Sequence, residues 1–366
     1  MTRTRPRPIP RPVRQRGFVL VIVLVLLSVL TLLAASVALS GSRAVAEAQQ
    51  ELDRLQGELD MVSTQETLLF MLATQRRNPG GMFALPSAAL DARAIDDDDE
   101  GLLWQPQGNE IALDARPYRG LGHALFALQD DAGLLSLNWG VDALRHSFFN
   151  ARGMGPDRWN EMDAKLMDYQ DPDSLHRLGG AEEEDYRRAG MPPPANRPVA
   201  TPLEFRRVLG WDRMLEGMDD TQLLRLITSQ RELALNLNTA PPEILALIPG
   251  MDAAQAERLV ALRRQQPIQA VWALRQSFPI PAFMDEGLRV FPKPSGNLMI
   301  WDRRFGKKRL AHWRLTPWST SGRPWQIDYE VILPRDDESD NSMAEATASP
   351  LLAPEDPDRK GRQPPA

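Results

Sequence analysis

Residues 18–39 are 22 consecutive residues without a charge, and six arginines (Arg3, Arg5, Arg7, Arg11, Arg14, Arg16) precede them with no acid among the first 17 residues. At about 1.5 Å per residue, a helix of that length reaches roughly 33 Å, enough to cross the hydrocarbon of a bilayer. The arginines place residues 1–17 on the cytoplasmic side and the rest of the chain beyond the membrane. A cleavable secretory signal is the competing reading, with Ser36-Val37-Ala38 as its small-residue site. Its apolar core should run only about 7–15 residues, shorter than the stretch here.

Past the membrane, Val45, Ala48, Leu52, Leu55, Leu59 and Val62 recur at three- and four-residue steps between charged residues such as Glu51, Asp53, Arg54 and Glu58. That spacing predicts an amphipathic helix continuing out of the bilayer, although a short coiled-coil stalk has the same period. A basic leader, a Gly17-Phe18 junction, an apolar helix and an amphipathic extension, in this order, resemble the type IV prepilin class. The resemblance implies that a prepilin peptidase cuts between Gly17 and Phe18 on the cytoplasmic side and methylates the new terminal amine. The chain departs from the class at Ile22, the fifth mature position, where those proteins usually carry glutamate.

The formal charge of −6 includes the six leader arginines, so residues 18–366 carry −12, a balance unsuited to binding polyanions. With no cysteine, disulfides, thiolate zinc sites and cysteine nucleophiles are excluded. Between Asn78 and Glu100, Pro79-Gly80-Gly81, Pro86 and the run Asp96–Glu100 predict a loop whose acids are solvated or, alternatively, bind calcium. "NEIALDARPY" (109–118) and "HALFALQDD" (123–131) read as strands packed on the first helix. From about 140 to 290 the character is helical, broken by prolines and glycines. Trp325, Ile327, Tyr329, Val331 and Leu333 then alternate with a second set to give an amphipathic strand. Helix, strands, helical block, strands: a helical domain inserted into a small α+β domain explains that order better than two domains in series. After Pro334 the chain is acidic, then rich in Pro, Ala and Ser, and 335–366 reads as a disordered tail.

Two stretches invite chemistry. "LNLNTAPPEILALIPGMDAAQAERLVALR" (235–263) resembles a helix-hairpin-helix unit, with Thr239 capping a helix begun by Pro241-Pro242 and Pro249-Gly250 forming the hairpin. In the version that binds nucleic acid, backbone N–H groups of a Gly-hydrophobic-Gly hairpin hold a phosphate. Here Asp252 occupies the second glycine position and no basic stripe accompanies it, so a protein-interaction or structural unit is expected and nucleic acid is not. "DYQDPDSLHRLGGAEEEDY" (168–186) crowds seven acids around a proline and a Gly-Gly turn. Its oxygen-rich composition suits a hard cation such as calcium, or else a solvated loop capping its neighbouring helices. The four histidines (His123, His146, His176, His312) form no ligand pair, and there is neither a Gly-x-Ser-x-Gly nor a phosphate-cradling glycine loop. No enzymatic activity is expected.

Together the segments resemble protein K of the type II secretion system, a minor pseudopilin. The match runs through most of residues 14–290. It rests on "DDAGLLSLN" (130–138), the 168–186 segment, "PPPANRPVATPLEFRRVLGWD" (192–212) and "LNLNTAPPEILALIPGMD" behind a prepilin N-terminus. The resemblance implies an α+β, pilin-like fold: a long N-terminal helix packed on an antiparallel sheet, with a large all-α inserted domain that contains the helix-hairpin-helix-like part. It divides the chain into a cleaved leader (1–17), a transmembrane helix (18–39), the pilin-like helix and first strands (40–139), the insertion (140–290), C-terminal strands (291–334) and the tail (335–366). It further implies a single-pass inner-membrane protein, its bulk periplasmic, that joins minor pseudopilins I and J and other pseudopilins at the tip of a short filament. That filament exports folded proteins through the outer membrane. Calcium is implied at the acidic segment, with Asp168, Asp171, Asp173 and Glu182 the best-matched acids. The alternative is an uncleaved single-pass envelope scaffold or receptor with a periplasmic helix-hairpin-helix interaction domain.

Overall fold

The computed structural model describes residues 18–84, 105–304, 307–319, 322–334 and 347–348. The leader with Gly17, the acidic run 96–100 and the tail apart from Thr347–Ala348 lie outside the described residues. Helix α1 spans Phe18–Thr74, a stretch without proline, and the chain divides into two compact units, Met1–Gln56 and Gly57–Ala366.

In the first unit every described residue is exposed. Its apolar stretch reaches a mean hydropathy of 3.2 over 18 residues and, among the described residues, is in the one helix long and apolar enough to cross a membrane. The hydroxyls inside it return to the helix's own carbonyls: Ser28 Oγ donates to Leu24 O at 2.8 Å and Ser40 Oγ to Ser36 O at 3.0 Å. Hydroxyls satisfied this way need no water, as a helix in lipid requires.

In the second unit the remaining turns of α1 pack on a sheet, but not through the residues singled out by spacing. Leu59 and Val62 are 53% and 47% exposed, whereas Gly57, Asp60, Met61, Thr64, Leu68, Leu69 and Leu72 are buried. Close packing decides this. A Cβ on Gly57 would stand 2.4 Å from Asp302 Oδ2, so a side chain there would have to displace the Asp302 carboxylate. Asp60 Oδ2 accepts the His123 N–H at 2.9 Å and Thr64 Oγ1 accepts the Leu121 N–H at 2.9 Å, which satisfies amides of the turn between two strands.

After α1 come β1 (Arg77–Asn78), β2 (Gly81–Phe83) and β3 (Glu110–Ile111), a small antiparallel sheet. Then follow β4 (Asp114–Arg119) and β5 (Ala124–Asp130). The helical block contributes β6 (Leu135–Ser136), α2 (Asp142–Ala151), α3 (Pro156–Gln170), α4 (Glu183–Arg188), α5 (Trp211–Met214), α6 (Asp220–Leu226), β7 (Ile227–Thr228), β8 (Leu235–Asn236), α7 (Pro242–Leu245), α8 (Ala253–Gln265) and β9 (Leu288–Arg289). The chain closes with β10 (Ser295–Asp302), β11 (Lys308–Leu315), β12 (Trp325–Leu333) and β13 (Thr347–Ala348).

The main sheet has the order β12-β11-β10-β5-β4-β13. Strands β5 and β10 are antiparallel neighbours from Gly296↔Asp130 to Asp302↔Ala124, so residues 131–294 leave and re-enter the sheet between two adjacent strands. This is the α+β arrangement with a large helical insertion. The insertion also contains two two-residue parallel ladders, β6 with β7 and β8 with β9, too short to leave a mark on sequence periodicity. Within the segment read as a disordered tail, Thr347–Ala348 pairs in parallel with Tyr118–Arg119 of β4.

All of β5 is buried because both of its faces are covered. Phe126 and Leu128 share a core with Met61, Leu68 and Leu72 of α1, and Leu125 and Ala127 pack with Met299, Trp301 and Leu224 of α6. The insertion thus covers part of the sheet face opposite the helix. Its own core is centred on Trp211, stacked on Phe205 at 5.5 Å and edge-on to Phe149 at 5.9 Å, with the indole N–H donating to Met162 O at 3.2 Å.

Candidate functional site

The insertion is tied to the sheet by two adjacent carboxylates at the end of β5. Asp130 Oδ1 accepts the N–H of Ala132 at 3.2 Å and of Lys293 at 2.9 Å, just inside the first and last residues of the insertion. Its Oδ2 accepts Asn236 Nδ2 at 2.8 Å and Thr239 Oγ1 at 2.9 Å. Complete burial raises Asp130 to about 6, with the donors from Lys293, Asn236 and Thr239 pulling the other way. Asp131 Oδ1 accepts Thr228 Oγ1 at 3.1 Å, and its Oδ2 is 2.9 Å from His312 Nε2 on β11. His312 Nδ1 lies 3.1 Å from Asp328 Oδ2 on β12, and its ring stacks on Tyr329 at 5.0 Å. Burial opposes charge on His312, but hydrogen bonds to Asp131 and Asp328 prevail and raise it to about 9.

This joint accounts for two of the sequence segments. In "DDAG", Gly133 must be glycine because a Cβ there would meet Thr239 Oγ1 at 2.6 Å. In "LNLNT", Asn238 Nδ2 donates to Ile268 O and Val290 O at 2.8 and 2.9 Å. Thr239 therefore serves Asp130 and does not cap α7, whose N-cap is Pro241. The sequence marked Asp130, Asp131 and Asn236 only as parts of motifs, and nothing in it pointed to His312 as the partner of Asp131 across the sheet.

The hairpin-like unit consists of α7, a turn with Gly250 at φ 87° and α8. Asp252 is the N-cap of α8, its Oδ1 accepting the Gln255 N–H at 2.8 Å while its own N–H donates to Gln255 Oε1 at 2.8 Å. The amides that a phosphate would need are thus satisfied by the chain's own capping box.

The acidic segment follows α3. Asp168 is fully buried, and its Oδ1 accepts Arg177 Nη1 at 2.6 Å while its Oδ2 accepts the Arg177 N–H at 3.2 Å. The same Nη1 also binds Asp171. Gly180 leaves room for this carboxylate, since a Cβ there would lie 1.9 Å from Asp168 Oδ2. Asp173 is exposed and its Oδ1 accepts the Leu175 N–H at 2.8 Å. Glu182 is the N-cap of α4, its N–H donating to Asp185 Oδ2 at 3.0 Å. Its carboxyl is held above the ordinary range first by burial and then by Asp168, Asp171 and Asp173.

The structure therefore gathers Asp168 and Asp171 around one guanidinium, sets Glu182 within their field and turns Asp173 to the loop backbone. Among the described residues no group of three or more His, Asp or Glu side chains converges as a ready metal centre. Asp171 Oδ1 and Glu182 Oε1 are nevertheless buried with no hydrogen-bond partner. Arg177 holds Asp168 and Asp171, and only if it turned outward would these oxygens suit a hard cation. Gly17 lies outside the described residues, and Phe18 is the first residue of α1.

Residues 143–227 and residues 235–284 each match a family model described as type II secretion system (T2SS), protein K, and both spans lie within the insertion. No curated protein matches the chain. Among solved structures, the GspK-GspI-GspJ complex from enterotoxigenic Escherichia coli contains a chain similar at 14% identity and a TM-score of 0.41, over 79% of this chain and all of that one.

Proposed function

We infer that this chain, protein K-like in both halves of its insertion, is a minor pseudopilin of type II secretion that caps the pseudopilus tip and initiates its assembly. One observation carries the tip assignment: residues 131–294 emerge between adjacent strands β5 and β10. An addition larger than the sheet domain itself would be expected to clash if repeated along a tight helical shaft, and it fits a single terminal position.

The N-terminal stretch supports the same reading. The prepilin peptidase removes residues 1–17 after Gly17 and methylates Phe18, leaving α1 anchored in the inner membrane with the rest in the periplasm. A buried carboxylate in lipid costs on the order of 2.5–3.5 kcal/mol at mid-membrane and less near its edge. The usual fifth-position glutamate is tolerable where it meets the terminal amine of the subunit above. A tip subunit has none above it, and apolar Ile22 suits that position. The outward Leu59 and Val62, on the side of α1 away from its own sheet, are available to the helices of other pseudopilins.

The role is structural, without catalysis. If calcium is bound, Asp168, Asp171, Asp173 and Glu182 hold it, and it would neutralise carboxylates that otherwise depend on Arg177, tying the loop after α3 to α4. The partners are minor pseudopilins I and J. Co-expression of residues 43–366 with the periplasmic parts of I and J tests this: a co-purifying ternary complex is expected, and failure to associate in any combination contradicts the assignment.

A further inference from the structure

We propose that the pocket between the first strands and the end of α8 is a carboxylate-binding site, in which Arg263 and Arg264 receive one carboxylate from a small organic acid or from a side chain of a partner protein.

The pocket measures ≈ 420 Å³ and is lined by Gly80, Glu110 and Arg116 from the strand region and by Arg263, Arg264 and Gln266 from the end of α8. The backbone is shaped to set Arg116 there. Pairing of β4 with β5 slips between Asp114 and Pro117, and Ala115 at the slip has φ 64°, a left-handed conformation that residues with a Cβ seldom adopt. A bulge of this kind re-aims a side chain. Here Arg116 turns Nε and Nη2 onto the two oxygens of Asp114, both at 2.8 Å, so that carboxylate is already taken.

Arg263 is left short of a counter-charge. It is only 5% exposed, and its Nη1 donates to Leu237 O and Ala240 O, both at 2.7 Å, contacts that fix the head but carry no charge to balance it. Nη2 stands 4.0 Å from Asp114, beyond hydrogen-bond reach, and Nε is buried with no hydrogen-bond partner. Burial pulls Arg263 down to about 10; Asp114 opposes the shift, and Arg116 and Arg264 add to it. Glu110 is already committed, accepting Asn78 Nδ2 at 2.7 Å and the N–H groups of Gln107 and Gly108 at 2.5 and 2.9 Å. Arg264 is exposed and forms no ion pair among the described residues. Three guanidiniums therefore face two carboxylates, Asp114 and Glu110, and one further negative charge completes the set. A carboxylate supplies that single charge and matches the fork of guanidinium N–H groups, whereas a phosphate dianion would overshoot it.

The test titrates sodium acetate into the full chain in detergent, with sodium chloride at matched ionic strength as reference. Binding to a site on the folded chain saturates, whereas a general salt effect keeps growing with concentration. The melting temperature is expected to rise by about 2–4 °C and level off in acetate alone. Arg264→Gln, an exposed change that leaves the core untouched, should raise the half-saturating concentration about fivefold. Parallel acetate and chloride curves, or a half-saturation unchanged in Arg264→Gln, overturn the site. Phosphate binding more tightly than acetate overturns its assignment to a carboxylate. One further arm rests on the proposed partners and separates the two sources: acetate, but not chloride, should displace I or J from the co-purified complex if either supplies the carboxylate, and an undisturbed complex assigns the site to a free acid.

Discussion

His312 and Asp131 meet across the boundary between sheet and insertion, Nε2 to Oδ2 at 2.9 Å, with the imidazole 1% exposed and the carboxylate fully buried. Asp131 is the first residue after β5 and His312 lies on β11, so the pair fixes where the insertion leaves the sheet.

Since this contact and the one to Asp328 raise His312 from 6.5 to about 9, its contribution to stability is complete below about pH 6.5 and is lost as pH rises through 9. The melting temperature should therefore fall between these pH values more steeply in the native protein than in His312→Gln. The carboxylates facing the ring are Asp131 and Asp328, with Tyr329 stacked on it. His312→Ala leaves Asp131 buried without its partner and should cost about 3–5 kcal/mol. Parallel melting curves for native and Gln variants across this window would rule out the charged pair.

Gly57→Leu forces a side chain into Asp302 at the helix–sheet contact, where even a Cβ would be 2.4 Å from Oδ2. A loss of about 1–3 kcal/mol in urea unfolding is expected, as for other overpacked sites. Leu59→Ala, on the outward face, should leave the midpoint nearly unchanged. The opposite ranking would mean that α1 docks through its other face.

For the acidic segment, the decisive variant is Arg177→Ala. Without the guanidinium, Asp168 and Asp171 repel each other and the protein should melt at a lower temperature in chelator. Calcium should restore the loss, because a cation that binds only the folded chain stabilises it by mass action. Asp171→Ala with Asp173→Ala should abolish the rescue. A loss that calcium does not reverse would dismiss the metal and leave Arg177 as the permanent counter-ion.

The leader gives a separate prediction. Gly17→Leu should leave residues 1–17 attached, because a side chain at that position obstructs the peptidase, whereas Ser36→Leu and Ala38→Leu should be processed normally. Mass spectrometry of the N-terminus checks this, with methylated Phe18 as the expected product. Cleavage after Ala38 would identify a conventional signal sequence.

How much of this was legible in sequence depends on how local each feature is. A charge-free run, a proline-free helix and the alternation in β12 are properties of consecutive residues and were plain. The packed face of α1 was not, because it is chosen by the space left by Gly57 and by the hairpin amides that Asp60 and Thr64 accept, while the apolar stripe faces outward. Strand β10 is buried on both faces and so lacks alternation. The joint unites Asn236 and Lys293 with the Asp130 carboxylate and His312 with that of Asp131, contacts spanning up to 181 residues of chain that no local spacing can reveal. Of the four acids expected to act together, Asp168 and Asp171 do meet, but on an arginine, Arg177, that emerged only from the fold.

The central claim, a single copy at the distal tip, is tested most directly by counting and locating this subunit in isolated pseudopili, by quantitative mass spectrometry and by gold labelling of the insertion. The account predicts one copy per filament, at one end. Several copies distributed along the shaft would contradict it, even with Gly17 cleavage confirmed.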